Sequence, residues 1–117
     1  MVSNADLLKR AYQIFPGASL GTFYLPEQHE FVIQRGQGCR VWDADGRVYL
    51  DYVMGSGPMV LGHAHPAVVG AVQRQIELGS TFYGLNDVAI ELAEKIVAAS
   101  PCAEGIKFCG SGAEATF

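Results

Sequence analysis

The sequence predicts an α/β fold: an N-terminal helix and a small antiparallel meander, then two helices and a strand that turns into a further helix. Three observations carry this. Apolar residues recur at helical spacing near residues 4–15, 68–76 and 88–97. Asp43-Ala44-Asp45-Gly46 divides two short β-rich runs and supplies Asp and Gly where a hairpin needs positive φ. Gly110-Ser111-Gly112 follows an apolar run and precedes Ala113-Glu114-Ala115, which is helix-forming composition.

The elements follow in order. Ser3-Asn4-Ala5-Asp6 is a Ser-x-x-Asp capping box, and Leu7, Ala11 and Ile14 continue it as a helix from about Asn4 to Phe15. Pro16-Gly17 ends that helix, and residues 18–30 read as a loop. Phe31-Val32-Ile33, closed by Gly36 and Gly38, is the first strand of the meander. Cys39 to Trp42 and Val48 to Tyr52 form the second and third. Met54 to Gly62 is glycine-rich loop. Pro66 suits the first turn of a helix that carries Val68, Val69, Val72 and Ile76, with Gly79 just past its end. Asn86 or Asp87 caps the next helix, on which Val88, Leu92 and Ile96 mark one face and Glu91 and Lys95 pair. Ile106 to Cys109 reads as a short strand. A strand without a partner and a five-residue helix are both incomplete. The chain is therefore expected to be the first part of a longer α/β protein.

Composition agrees. Half of the 117 residues are hydrophobic, and 17% are charged against a usual share of about 25%. The chain is too apolar to be disordered. A small domain needs more polar surface than this, so further protein is expected to cover its apolar faces. Eight basic against twelve acidic residues, net −4, leave no electrostatic footprint for nucleic acid. Residues 52–73 carry no Asp, Glu, Lys or Arg, but repeated Gly, His and Pro interrupt them, which argues against a membrane span. No apolar signal segment opens the chain. Cys39, Cys102 and Cys109 lack regular spacing and are expected to be reduced, packed thiols of a cytoplasmic protein.

Two motifs invite chemistry. The glycines of the strand–Gly-Ser-Gly–helix turn allow close backbone approach, and the free N–H groups of the following helix suit a phosphate. A plain structural turn explains the pattern about equally well. The full dinucleotide fingerprint, the P-loop and the serine nucleophile elbow are all absent. A methyl-donor or nucleotide-binding α/β domain, or a non-catalytic interaction module, remain as alternatives. His63-Ala64-His65 could offer two metal ligands, but no third ligand follows at suggestive spacing. Loop histidines bonded to backbone groups are the expected reading, with no metal. Asp43, Asp45 and Asp51 read as turn and strand-end residues, and Lys107 as solvent-facing.

In combination the motifs are more specific. Gly38 to Asp51 resembles the N-terminal meander of class III aminotransferases. Leu61-Gly62-His63-Ala64-His65-Pro66 is similar to their Leu-Gly-His-x-His-Pro signature, and Gly110 to Ala115 resembles their phosphate loop. The glutamate-1-semialdehyde 2,1-aminomutase branch and its transaminase relatives are the most similar. The resemblance implies a fold type I enzyme dependent on pyridoxal 5'-phosphate, usually a homodimer, acting on an amino donor and a keto-acid or aldehyde acceptor. It implies an N-terminal segment over residues 1–60 and the beginning of the large cofactor-binding domain over 61–117. Gly112 and Ala113 would offer N–H groups to the cofactor phosphate, with Ser111 shaping the cup. Gly55, Ser56 and Gly57 would lie beside the substrate, and Tyr83-Gly84 near a dimer interface.

Some positions depart from the family pattern. Ala113 replaces the usual Thr, residues Leu20 to Tyr24 contain no Arg, and Ser56 stands where the aminomutase carries Trp. The last two point toward a transaminase of ω- or β-amino acids. No lysine present (Lys9, Lys95, Lys107) matches the family's Schiff-base lysine, which is expected beyond Phe117. The 117-residue chain is therefore expected to be inactive alone.

Overall fold

A computed structural model describes residues 2–21 and 23–117. They divide into two compact units on either side of the Arg74–Gln75 bond, the second being residues 75–117.

The first unit opens with α1 (Asn4–Ile14). Ser3 caps it: its Oγ accepts from the Asp6 N–H at 3.2 Å and donates to the Asp6 carboxylate at 2.8 Å. The helix ends one residue earlier than its periodicity suggests, with Phe15 as the capping residue in extended backbone. The following loop holds two single 3₁₀ turns, Pro16–Ala18 and Glu27–His29. Thr22 of the Leu20–Tyr24 stretch lies outside the described residues.

The meander is a three-stranded antiparallel sheet in the order β1 (Ile33–Gln37), β2 (Arg40–Asp43), β3 (Val48–Leu50). Its first strand begins two residues later than expected and runs through Gly36, which pairs with Val41 rather than closing the strand. A bulge between Ile33 and Arg35 shifts the register. Arg35, opposite Trp42, lays its guanidinium 3.6 Å from the indole centroid. Phe31 stacks on Tyr49 at 4.3 Å. The third strand stops at Leu50, because the Asp51 side chain captures the backbone beyond it.

Asp43 is more than a turn residue. It is 1% exposed, and its carboxylate accepts from the Asp45 and Arg47 N–H groups, the Asn4 amide and the Tyr49 hydroxyl. Burial alone would raise this carboxyl, but those four donors outweigh it and hold the pKa below the usual value. Asn4 is buried too. It takes the Val32 N–H on Oδ1 and gives its own N–H to Asp45, which ties α1 to the meander. Val41 and Ala44 are the buried apolar residues here. The centre of the unit is thus as polar as it is apolar, and is stable because every group named has a partner.

Helix α2 (Pro66–Leu78) starts in this unit, with Pro66 in its first turn as expected. In the second unit, α2 ends at Gly79, whose φ is +110°. Asn86 caps α3 (Asp87–Ala99) by accepting from the Ala89 N–H at 3.0 Å. Glu91 and Lys95 pair across one turn, both well exposed, so the pair adds little stability. The strand expected at 106–109 does not form: among the described residues nothing pairs with it, and a lone strand has no ladder to stabilise it. The chain then turns into α4 (Gly112–Thr116). The cysteines are free, but all three are exposed rather than packed, because no element among the described residues covers them.

Candidate functional site

The first group of candidate residues lies in the loop after β3. Met54, Gly55, Ser56 and Gly57 have φ of +48°, +66°, +66° and +109°, four consecutive left-handed residues. Two of them carry side chains, and each costs about 1 kcal/mol in this conformation. Something must hold the turn. The Asp51 Oδ1 accepts from the Val53 and Met54 N–H groups, both at 2.9 Å. Its Oδ2 lies 2.6 Å from Nε2 of His63. The N–H of Met54 first, and His63 next, keep the Asp51 carboxyl below the usual carboxylate range.

His63 therefore binds a carboxylate side chain, not the backbone group its loop position suggests. Its main chain is fixed as well: Gly38 and His63 exchange two N–H···O bonds of 2.9 Å. Its ring lies against Gly36, where an added Cβ would sit 2.5 Å from Cγ. That close approach explains a glycine inside β1. No local spacing rule links residues twelve apart, so the pair was not legible from sequence; a strand-end Asp ahead of a glycine-rich loop was the available signal. His65 makes no such contact, and its Nδ1 is buried without a partner. Among the described residues, no cluster of three His, Cys, Asp or Glu could hold a metal ion.

The second group lies at α4. Ser111 is the N-cap, its Oγ accepting from the Glu114 N–H at 3.3 Å. Glu114 in return accepts the Gly110 N–H at 2.7 Å, a variant of the capping box. The Ala115 N–H reaches the Ser111 carbonyl. The N–H groups of Gly112 and Ala113 are left without a partner among the described residues, and an added Cβ at Gly112 would meet open space. Two adjacent free donors at an exposed helix start suit an oxyanion. The Ser111 hydroxyl hydrogen can add a third. The three sequence-predicted residues thus come together, as do Gly55, Ser56 and Gly57 in their own unit. Tyr83 and Gly84 line a cleft of about 600 Å³ with Gln75, Phe82 and Asn86, and the Tyr83 side chain is fully exposed. Lys9, Lys95 and Lys107 all lie on the surface.

Known proteins resemble this chain in sequence and in fold. The glutamate-1-semialdehyde 2,1-aminomutase of Methanothermobacter thermautotrophicus is 41% identical over 115 residues, which cover 98% of this chain and 27% of that protein. An omega-transaminase from Sphaerobacter thermophilus superposes with a TM-score of 0.87 at 34% identity, over 97% of this chain and 26% of that one. A structure described as a transaminase with PLP bound gives 0.86 at 32% identity, over 96% and 26%. The chain thus spans about a quarter of the length of the relatives it matches. The family description "Aminotransferase class-III" matches residues 23–117, and with that match over most of its length the chain belongs to the class III aminotransferases.

Proposed function

We propose that this chain is part of an enzyme that transfers an amino group between an amino compound and a keto acid or aldehyde, with pyridoxal 5'-phosphate as cofactor. The observation that carries the reading is the pair of N–H groups of Gly112 and Ala113, without a partner among the described residues, in the Gly110–Ala115 segment that resembles the family's phosphate loop. These two groups would hold the cofactor phosphate, with the Ser111 hydroxyl as a further donor. When bound, pyridoxal phosphate supplies an aldehyde and an electron-accepting ring suited to carrying an amino group. Glu114 holds the Gly110 N–H and leaves the other two donors free. Gly55, Ser56 and Gly57 would face the substrate. We assign no catalytic lysine within these 117 residues. The exposed apolar side chains, such as Leu20, Leu85 and the Val68–Val72–Ile76 stripe, would be covered by the rest of the large domain and by a second subunit.

Transamination is favoured over aminomutase chemistry. Leu20, Phe23 and Tyr24 are exposed and uncharged, and Ser56 is small and neutral, so these residues offer no cation to the substrate carboxylate for which the aminomutase pattern carries an Arg. The test is to load the full-length protein with the cofactor. It is then offered β- and ω-amino acids with a keto acid, and glutamate 1-semialdehyde in parallel. Amino transfer from the first group is expected. Isomerisation of the semialdehyde alone would overturn the transaminase reading, and turnover by the 117-residue chain by itself would overturn the assignment of its role.

A further inference from the structure

We propose that Asp51 and His63 are positioning residues that hold the loop of residues 52–62 in its left-handed conformation for the substrate. The inference rests on the reading above, in which that loop faces the substrate. Among the described residues, every hydrogen bond of residues 52–62 runs within the loop or to Asp51. The loop is uncharged, and Tyr52, Val60 and Leu61 are largely exposed, so no packed core within these 117 residues fixes it. Left alone, four consecutive positive φ values would relax.

One carboxylate prevents this from both ends. Its Oδ1 fixes the entry of the loop at Val53 and Met54. Its Oδ2 fixes the exit at His63, whose backbone is already locked to Gly38 and whose ring is seated on Gly36. Sheet, loop entry and loop exit therefore meet at one side chain. Asp51 and His63 need not touch the substrate to act. They set where Gly55, Ser56 and Gly57 lie.

The test uses Asp51→Ala, Asp51→Asn and His63→Ala in the full-length, cofactor-loaded protein. Amide hydrogen exchange is followed at residues 53–57 and in β1–β3. Steady-state kinetics give KM and kcat for the amino donor, and the absorbance of the bound cofactor reports its occupancy. Asp51→Ala is expected to speed exchange at residues 53–57 about tenfold or more, the scale of lost hydrogen bonds to a charged acceptor. It is expected to raise KM by a similar factor, with kcat changed less and cofactor occupancy unchanged. His63→Ala should do the same more weakly. Asp51→Asn keeps an Oδ1 acceptor for Val53 and Met54 and should restore part of the loss. Unchanged loop exchange, or faster exchange spreading through β1–β3, would overturn the clamp, as would a loosened loop with unchanged KM. If the unsubstituted protein transfers no amino group, the functional reading fails, while the exchange arm still decides whether the clamp holds the loop.

Discussion

Gly62 and Gly38 face each other across the backbone bridge that anchors His63, and their replacement by alanine should have very different effects. Both have positive φ, +80° and +55°. Alanine at either position therefore carries a conformational cost of about 1 kcal/mol. The surroundings differ. A Cβ at Gly38 would meet nothing within 4 Å. A Cβ at Gly62 would lie 2.9 Å from the Gly38 carbonyl oxygen and 3.0 Å from its C and Cα. Backbone atoms cannot swing aside as a side chain can. The two segments must separate, and the two 2.9 Å bonds between Gly38 and His63 are lost. At about 1 kcal/mol each, these bring Gly62→Ala to about 3 kcal/mol. Gly38→Ala should stay near 1 kcal/mol.

Amide hydrogen exchange at residues 38 and 63 of the full-length protein reads the difference directly, because both N–H groups are donors in the bridge. The gap of about 2 kcal/mol corresponds to exchange roughly thirtyfold faster in Gly62→Ala than in Gly38→Ala. Equal acceleration in the two variants would refute the clash argument and leave φ as the only constraint.

Other outcomes follow from the same contacts. Asp43 and Asp51 both have lowered pKa values in the fold, so their stabilisation is complete above the unfolded value of about 3.9 and is lost as pH falls through the folded values. Exchange in residues 2–74 should be steady from pH 7 to 5, after correction for intrinsic rates, and rise below about pH 4; a steady rise through pH 6 would count against this. Asn86→Ala removes the cap bond to the Ala89 N–H and should destabilise the first turn of α3 by about 1 kcal/mol, seen as faster local exchange. Ala113→Pro deletes one proposed phosphate donor in a first helical turn that tolerates proline, and should weaken cofactor binding about tenfold in a spectroscopic titration, whereas Ala113→Ser should not. The isolated chain, with so many apolar side chains exposed, should melt without a sharp cooperative transition in calorimetry.

Sequence reading succeeded where a residue's partner is local. Ser3 caps α1 through Asp6, Asn86 caps α3 through Ala89, and the hairpin closes through Asp43, Asp45 and Gly46. Each of these bonds spans at most four residues, within the reach of a spacing rule. It failed where the partner is remote. Asn4 looks like an ordinary first-turn residue, yet its amide is buried against Asp43 and Val32. Gly36 looks like a strand terminator, yet it makes room for His63. Ile106 to Phe108 has strand composition, yet composition cannot supply a neighbour. The apolar stripe of α2 was legible as a stripe, but what covers it was not, and Val72 and Ile76 remain about half exposed.

The same distinction bears on the proposed phosphate loop. Ser111 and Glu114 satisfy one another's neighbourhood within four residues, so the turn has a complete local explanation without any ligand. Had the local motif consumed every N–H, a cofactor role for this turn would have had no physical support. It does not. A capping box satisfies a fixed subset of the orphan donors at a helix start, and here the Gly112 and Ala113 groups lie outside that subset. A free N–H at an exposed helix start is ordinarily met by water. Here the two unclaimed donors belong to the residues that the resemblance to the family motif assigns to the proposed cofactor phosphate. Ala113→Pro against Ala113→Ser separates the explanations, since only a bound phosphate distinguishes a missing N–H from an altered side chain at that position.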